Sequence, residues 1–147
     1  MAYRLQVVSG HLQTGAVSIN SKVESCTRSS MSRPPITTHV LDTALGRPAS
    51  GLPIQLCQVG EDNTTWHIIG SGVTNSDGRC GPLITMEQLK PGTYRMHFDT
   101  ATYFASQNNN QPFYPYAEVV FIIYDTTQHY HIPLLLSPYA YSTYRGS

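Results

Sequence analysis

Short apolar segments separated by turn residues run along the chain from about residue 36 to its end. They are rich in Val, Ile, Tyr and Thr, and Gly, Pro and Asn punctuate them, which is typical of β-strands. We predict strands at residues 38–42, 52–59, 65–73, 92–98, 116–124, 129–137 and 140–144. Because each strand has one apolar face, two sheets packed face to face would bury a single core. The pattern predicts an all-β, two-layer antiparallel sandwich.

Two segments depart from this strand pattern. The stretch "TATYFASQ", residues 100–107, is the one helical candidate, and a polar loop at residues 106–112 follows it with no role that the sequence defines. The stretch "TNSDGRCG", residues 74–81, is predicted to be a turn, with Asp77-Gly78 as its most specific element.

The first 35 residues differ in character from the rest of the chain. Residues 21–35, "SKVESCTRSSMSRPP", are rich in Ser, end in two prolines and lack periodic apolar positions, so we predict a linker. This divides the chain into a targeting segment and flexible linker at residues 1–35 and one folded domain at residues 36–147. A chain of 147 residues is long enough for one such core and leaves little room for a second.

The stretch "RLQVVSGHL", residues 4–12, has the spacing of a short amphipathic helix. Leu5, Val8 and Leu12 fall on one helical stripe, flanked by Arg4 and His11. The arrangement resembles the N-terminal peroxisomal import signal, Arg-Leu, five variable residues, His-Leu. A short strand or a disordered tail, with a cytosolic protein, is the alternative. The C-terminal "RGS" is not the Ser-Lys-Leu peroxisomal address.

Charge narrows the choice of partners. Nine Lys and Arg balance nine Asp and Glu, so no net field draws the protein to nucleic acid or to an anionic membrane, and no apolar run reaches the length of a membrane span. The charged fraction is 12%, against about 25% in average soluble domains, which favours a homo-oligomer.

The three cysteines are scattered and odd in number, which favours a reducing compartment over a disulfide scaffold.

The familiar catalytic templates are missing from the sequence, including G-x-S-x-G, the P-loop, G-x-G-x-x-G and H-E-x-x-H. Histidines and an arginine remain as candidates. His39 lies in "ITTHVLD", where a histidine satisfied by backbone groups is the plainer interpretation. Arg79 directly follows the Asp77-Gly78 turn, so its planar fork of donors would project from the end of a sheet, although a solvated loop arginine has the same pattern.

The pair "HYH" places His129 and His131 two residues apart on a predicted strand, so both side chains point to the same face. Two imidazoles at this spacing can form half of a metal site. Because no Asp, Glu or Cys cluster accompanies them, we favour a function without a bound metal.

Taken together, "THVLD", "DGRC", "HYHIPLLLSP" and the terminal "YSTYRGS" closely resemble the 5-hydroxyisourate hydrolases, transthyretin-like enzymes of urate breakdown. The resemblance covers residues 36–147, and the final Tyr-Arg-Gly-Ser separates these enzymes from the transthyretins that carry thyroid hormone. It implies a transthyretin-like β-sandwich of two four-stranded sheets with one short helix, and a homotetramer, a dimer of dimers with active sites between dimers. Some eukaryotic members carry an N-terminal peroxisomal signal, which favours that interpretation of residues 4–12.

The resemblance also assigns site residues. It implies His39, Arg79, His131 and Ser147 as catalytic residues, and His39, Arg79 and Tyr144 as substrate-binding residues. His129 lies beside the match without being its catalytic member. Ile132 stands where Val is usual in the family.

The implied reaction opens 5-hydroxyisourate to 2-oxo-4-hydroxy-4-carboxy-5-ureidoimidazoline, with no cofactor and no metal. One histidine would take a proton from the attacking water, and Arg79 would stabilise the oxyanion; the spacing does not decide which histidine is the base. One alternative is a transthyretin-type carrier of an aromatic ligand, which would need an apolar channel. Another is a structural β-sandwich, which leaves these motifs unexplained.

Overall fold

The computed structural model describes residues 33–109 and 111–146. Its elements, in chain order, are β1 (Ile36–Asp42), β2 (Arg47–Pro48), β3 (Pro53–Val59), β4 (Trp66–Val73), β5 (Gly92–Phe98), α1 (Thr100–Ser106), β6 (Ala117–Ile123), β7 (Tyr130–Ser137) and β8 (Ala140–Thr143). The strands form two four-stranded sheets, ordered β2-β1-β7-β8 and β4-β3-β5-β6. The predicted all-β sandwich with one short helix is confirmed.

The strand pairing differs from the prediction in two places. The two-residue strand β2 was not predicted, because both of its residues are exposed and so short a strand shows no alternation. In addition, β1 and β7 pair in parallel, with Ile36 opposite Tyr130 and Asp42 opposite Leu136, whereas an antiparallel sandwich was predicted. A parallel pair requires a long crossover connection, and here the chain builds the whole second sheet before it returns as β7.

The core lies between the two sheets. Strands β1 and β7 contribute alternating buried side chains, and β3 and β5 contribute the opposing ones. The largest fully buried side chains are Tyr94, Tyr103, Phe98, Ile36, Leu52, Ile54, Leu56, Met96, Ile123, Leu134, Leu136 and Val40. Since side chains alternate along a strand, burial of this set fixes which residues of β1 and β7 face outward.

Two inward-facing residues of β1 are polar, and both are hydrogen bonded. The Thr38 hydroxyl donates to the carbonyl oxygen of Ile132 over 2.6 Å. The Asp42 carboxylate accepts from the Tyr103 hydroxyl over 2.9 Å and from two backbone N–H groups of the following turn at 3.0 Å each. Because these groups have partners, β1 can bury Thr38 and Asp42 and keep its other face toward the outside.

Helix α1 closes the end of the sandwich next to Asp42. Asp99 caps it by accepting a hydrogen bond from the backbone N–H of Thr102 over 2.9 Å. The polar loop that follows α1 begins beside β2, where the Arg47 guanidinium donates to the Gln107 side chain over 3.0 Å. This loop therefore starts at the edge of the first sheet opposite β8.

The predicted targeting segment, most of the predicted linker and Ser147 lie outside the described residues, so the domain boundary at residue 35 and the peroxisomal address stay predictions. Within residues 33–109 and 111–146, no helix has the length and apolar character needed to cross a membrane. Cys57 and Cys80 are both free thiols.

Candidate active site

Two of the predicted catalytic residues lie on the outer face of the first sheet, away from the core. Thr37 and His39 alternate with buried residues of β1 and therefore point outward. His131 is a half-buried residue of β7, and the parallel register places it directly opposite Thr37. His39 lies opposite Pro133, two pairs further along. The two histidines are therefore diagonal neighbours on one surface.

Arg79 reaches this surface from a tight turn beside β1. The Asn75 side chain accepts a hydrogen bond from the Arg79 N–H over 3.0 Å. Gly78 adopts a φ of 70°, and a Cβ at this position would overlap the carbonyl oxygen of Val40, so the turn requires glycine. Arg79 then pairs with His39 in an antiparallel bridge. Because directly paired residues point to the same face of a sheet, the predicted turn places the Arg79 side chain beside His39.

The C-terminal tail runs along β7 and contacts His131. Gly146 pairs with His131 in an antiparallel bridge, and its N–H donates to the His131 carbonyl oxygen over 3.0 Å. Continuing the register between β7 and β8 by one pair places Tyr144 opposite Pro133, and the Tyr144 residue is 60% exposed. Tyr144 therefore lies at the open side of the surface that carries the two histidines.

Side chains of the tail hold it in this position. The Thr143 hydroxyl donates to the Pro133 carbonyl oxygen over 2.7 Å. The Arg145 guanidinium donates to the Gln128 side chain over 3.0 Å, and it lies 5.5 Å from the centre of the Tyr130 ring. The chain is therefore anchored as far as Gly146. Ser147 lies outside the described residues, and its predicted catalytic role stays a prediction.

Replacing Gly146 by Ala is expected to disturb the site directly. The added Cβ would overlap Cδ2 of the His131 ring, so either the ring or the tail must move. A displacement of about 1 Å can cost 10²-fold in rate, and we expect a loss of roughly 10- to 100-fold in kcat/KM in a steady-state assay. Gly81→Ala is the matched control, because a Cβ at Gly81 meets no atom within 4 Å. Equal activity of the two variants would contradict the contact.

His129 is hydrogen bonded to the same group of residues. Its Nδ1 lies 2.8 Å from the carbonyl oxygen of Pro34, and its Nε2 lies 2.9 Å from the Thr37 hydroxyl oxygen. The same hydroxyl oxygen lies 2.9 Å from Nδ1 of His131. The "HYH" pair thus converges on a threonine hydroxyl. In the part of the chain that the structure describes, no group of three or more His, Cys, Asp or Glu side chains could hold a metal ion.

The surroundings of His131 favour its neutral form. Burial of the ring lowers the pKa of His131 below its ordinary value, and the positive charge of Arg79 lowers it further, followed by His129, His39 and Arg33. Both effects disfavour the imidazolium ion. An imidazole that stays neutral at and below neutral pH is available to accept a proton.

The candidate residues lie on an open sheet surface of the single chain. One cavity of about 240 Å³ lies between the edges of β6 and β8 and is lined by residues such as Phe121 and Thr143, with Tyr144 also in its lining. Another of about 240 Å³ adjoins the site and is lined in part by Arg33 and His129. A flat ligand on the histidine surface would therefore be open to solvent on one side unless a second chain covered it.

The structure brings together more residues than the motifs predicted. It places Arg79, His39 and His131 on one surface, with Gly146 against His131. It also adds Thr37, which is hydrogen bonded to His131, and His129, which is hydrogen bonded to Thr37. One signal in the sequence could have identified Thr37, since it precedes His39 by two residues and so shares its face. Its contact with His131 depends on the pairing of β1 with β7, which the sequence does not state.

The sequence matches one protein family over nearly all of the described residues. The family model named Transthyretin, described as the HIUase/Transthyretin family, matches residues 36–146. The matched range begins with β1 and ends with Gly146, so it includes every candidate site residue that the structure describes.

The similar proteins include two named 5-hydroxyisourate hydrolase and a transthyretin whose structure contains thyroxine. The 5-hydroxyisourate hydrolase of Mus musculus is 51% identical over 113 residues, covering 77% of this chain and 95% of that protein. The 5-hydroxyisourate hydrolase of Deinococcus radiodurans is 48% identical over 117 residues, covering 78% and 97%. The crystal structure of sea bream transthyretin in complex with thyroxine has a TM-score of 0.72 and 37% identity, covering 76% of this chain and 94% of that one.

Proposed function

The chain belongs to the HIUase/transthyretin family, and from this premise we propose that it is an enzyme of urate degradation that hydrolyses 5-hydroxyisourate. One observation carries the proposal. His39, Arg79 and His131 lie on one sheet surface, and the pKa of His131 is lowered so that a neutral imidazole is available there. A general base beside a fixed cation is what addition of water to a carbonyl group requires.

In the proposed reaction, water attacks C6 of the substrate, and one histidine of the pair His39 and His131 takes the proton that the water loses. The carbonyl oxygen gains negative charge, which the Arg79 guanidinium stabilises by charge-assisted hydrogen bonds. The C6–N1 bond then breaks, and N1 takes the proton from the imidazolium ion. The product is 2-oxo-4-hydroxy-4-carboxy-5-ureidoimidazoline. The electron pair of the broken bond stays on N1, and no covalent intermediate, cofactor or metal takes part.

We assign the orientation of the substrate to residues of the C-terminal tail. The substrate is flat and carries several donors and acceptors, so a hydroxyl at the open side of the surface can fix its position. The exposed Tyr144 side chain lies at that side, and Ser147 follows Gly146, which contacts His131. Tyr144 is therefore assigned to substrate binding, and Ser147 completes the proposed set of hydrogen bonds.

The carrier alternative is not favoured. A carrier of thyroid hormone needs an apolar surface, whereas the outer face of the first sheet presents His39, Arg79 and His131. Identity points the same way, since relatives named 5-hydroxyisourate hydrolase share 40–51% identity with this chain and the thyroxine-bound transthyretin shares 37%.

The proposed assembly is a homotetramer, a dimer of dimers. Two features support it: the candidate site lies on an open sheet surface, and large apolar residues are exposed at β6 and at the segment around β8. The exposed residues there are Val120, Ile122, Tyr124, Tyr139, Tyr141 and Tyr144. Burial of such a set against other subunits would remove it from water. A second chain over the site would also exclude solvent from the reacting groups.

A direct assay tests the activity. The protein is added to 5-hydroxyisourate freshly made by urate oxidase, and the ultraviolet absorbance of the substrate is followed. We expect decay much faster than in buffer, and decay at the buffer rate would overturn the proposed function. Sedimentation velocity on the same preparation tests the assembly, for which a stable monomer at micromolar concentration would be the contrary result.

A further inference from the structure

Three hydrogen bonds connect a backbone carbonyl group to the ring of His131. The carbonyl oxygen of Pro34 lies 2.8 Å from Nδ1 of His129. Nε2 of His129 lies 2.9 Å from the hydroxyl oxygen of Thr37, which lies 2.9 Å from Nδ1 of His131. These four groups form an uninterrupted chain, which we call the Pro34–His131 chain.

The direction of each hydrogen bond follows from the carbonyl end. A carbonyl oxygen only accepts, so Nδ1 of His129 must carry the proton. In the neutral ring Nε2 of His129 then has the lone pair, and it accepts from the Thr37 hydroxyl. That hydroxyl has used its one hydrogen, so its oxygen accepts from Nδ1 of His131. When both rings are neutral, His131 therefore carries its proton on Nδ1 and has its lone pair on Nε2.

We propose that His129 and Thr37 are positioning residues that hold His131 in this tautomer, so that its Nε2 is the atom that takes the proton from water. The assignment of the proton acceptor rests on the proposed function, whereas the assignment of the tautomer does not. The proposal gives a function to His129, for which the sequence motifs indicated none.

The sheet geometry supports the proposal independently. Thr37 lies directly opposite His131 in the register of β1 and β7, and His129 precedes His131 by two residues, so all three side chains point to the same face. The β-branched Thr37 side chain has few rotamers, which limits where its hydroxyl can point. On the other side of the His131 ring, Gly146 lies close to Cδ2. The ring is therefore held from two sides.

The group that orients His131, the Thr37 hydroxyl, carries no charge, and this affects how easily the ring is protonated. Where a carboxylate orients a catalytic histidine, it also stabilises the imidazolium ion. Here a hydroxyl orients His131, and the charged or titratable groups that face the ring are Arg33, His39, Arg79 and His129. All of these are cationic when charged. The chain can therefore set the orientation of His131 without stabilising its protonated form.

The test compares Thr37→Val with Thr37→Ser. Valine has the shape of threonine without the hydroxyl, and serine keeps the hydroxyl. For Thr37→Val we expect kcat to fall roughly 10- to 100-fold, the loss seen when groups that orient metal-bound histidines are removed, with KM changed much less because Thr37 acts through His131 and not on the substrate. Thr37→Ser is expected to recover most of kcat. Equal kcat for the two variants would overturn the proposal.

The tautomer itself is measured without substrate. Nitrogen-15 spectra of His131 at a pH where both His129 and His131 are neutral should show a protonated Nδ1 and an unprotonated Nε2 of His131, and Thr37→Val should give a mixture of both tautomers. A wild-type ring protonated on Nε2 would overturn the inference. If the protein did not hydrolyse 5-hydroxyisourate but the spectra were as expected, the proposed function would fail while the tautomer assignment stood.

A second pair of variants covers the case in which Thr37→Val does not fold. His129→Gln keeps one donor for the Pro34 carbonyl oxygen and one acceptor for the Thr37 hydroxyl, whereas His129→Leu keeps neither. We expect higher kcat and a larger share of the Nδ1-protonated His131 ring in His129→Gln. Identical values in both variants would contradict the Pro34–His131 chain.

Discussion

Replacing His131 by Gln is expected to lower kcat/KM for 5-hydroxyisourate by about 10²- to 10⁴-fold, the range for loss of a general base. Glutamine retains hydrogen-bonding groups of similar reach, but its amide does not accept a proton near neutral pH. The fold should survive, because His131 lies on the outer face of the sheet and is only partly buried. A stopped-flow assay measures the loss, and circular dichroism checks the fold.

His67→Gln is the matched control. His67 is an exposed residue of β4 in the other sheet, so the same substitution there should leave kcat/KM unchanged. With His131 as the base, the acid-side midpoint of the wild-type kcat/KM profile should lie below about 6.5, since burial and the positive charge of Arg79 lower the pKa of that ring. Near-wild-type activity of His131→Gln would show that His131 is not the base.

Arg79→Ala is expected to lower kcat/KM by about 10²- to 10³-fold, as when a group that stabilises an oxyanion is removed. It should also raise the pH at which activity falls on the acid side. Arg79 is one of the positive charges that lower the pKa of His131, and its removal makes the imidazolium ion less unfavourable. One substitution therefore predicts two effects, on the rate and on the pH profile.

Arg79→Lys separates these effects. Lysine keeps the charge but loses the planar fork of donors. In Arg79→Lys the pH at which kcat/KM falls on the acid side should therefore stay near that of the wild type, while kcat/KM itself is lower. Lys90→Ala removes a positive charge from an exposed position, one that is not among the charges that lower the pKa of His131, and serves as the control. If Arg79→Ala left both the rate and the acid limb unchanged, its proposed role would be wrong.

Much of the fold could be predicted from local patterns. The prediction of a strand at residues 92–98 matches β5 in full, and the predicted helix at residues 100–107 exceeds α1 by one residue. These elements have regular alternation or clear boundaries. Strand β2 and the parallel pairing of β1 with β7 were not predicted, because a two-residue exposed strand has no periodic signal and strand partners are chosen across the whole chain.

Part of the candidate site could likewise be predicted from local patterns, and part could not. His39, Arg79 and His131 were identified because each lies in a recognisable short motif, and Arg79 follows a turn whose Gly78 is required by a positive φ. Thr37 and His129 were missed as partners of His131. Threonine and histidine occur in many strands for ordinary reasons, and only the alignment of β1 beside β7 shows that Thr37 lies between the two imidazoles.

The sequence by itself determined which residue types were available, which of the longer strands would form and which side chains of each would share a face, because these properties depend on neighbours within a few residues. The tertiary structure alone decided that β1 lies parallel to β7, that Arg79 pairs with His39 and that Gly146 lies against His131. These contacts join segments that are separated along the chain, and burial of the common core fixes the register in which they meet. The lowered pKa of His131 belongs to this second group, since it arises from burial and from charges on other segments.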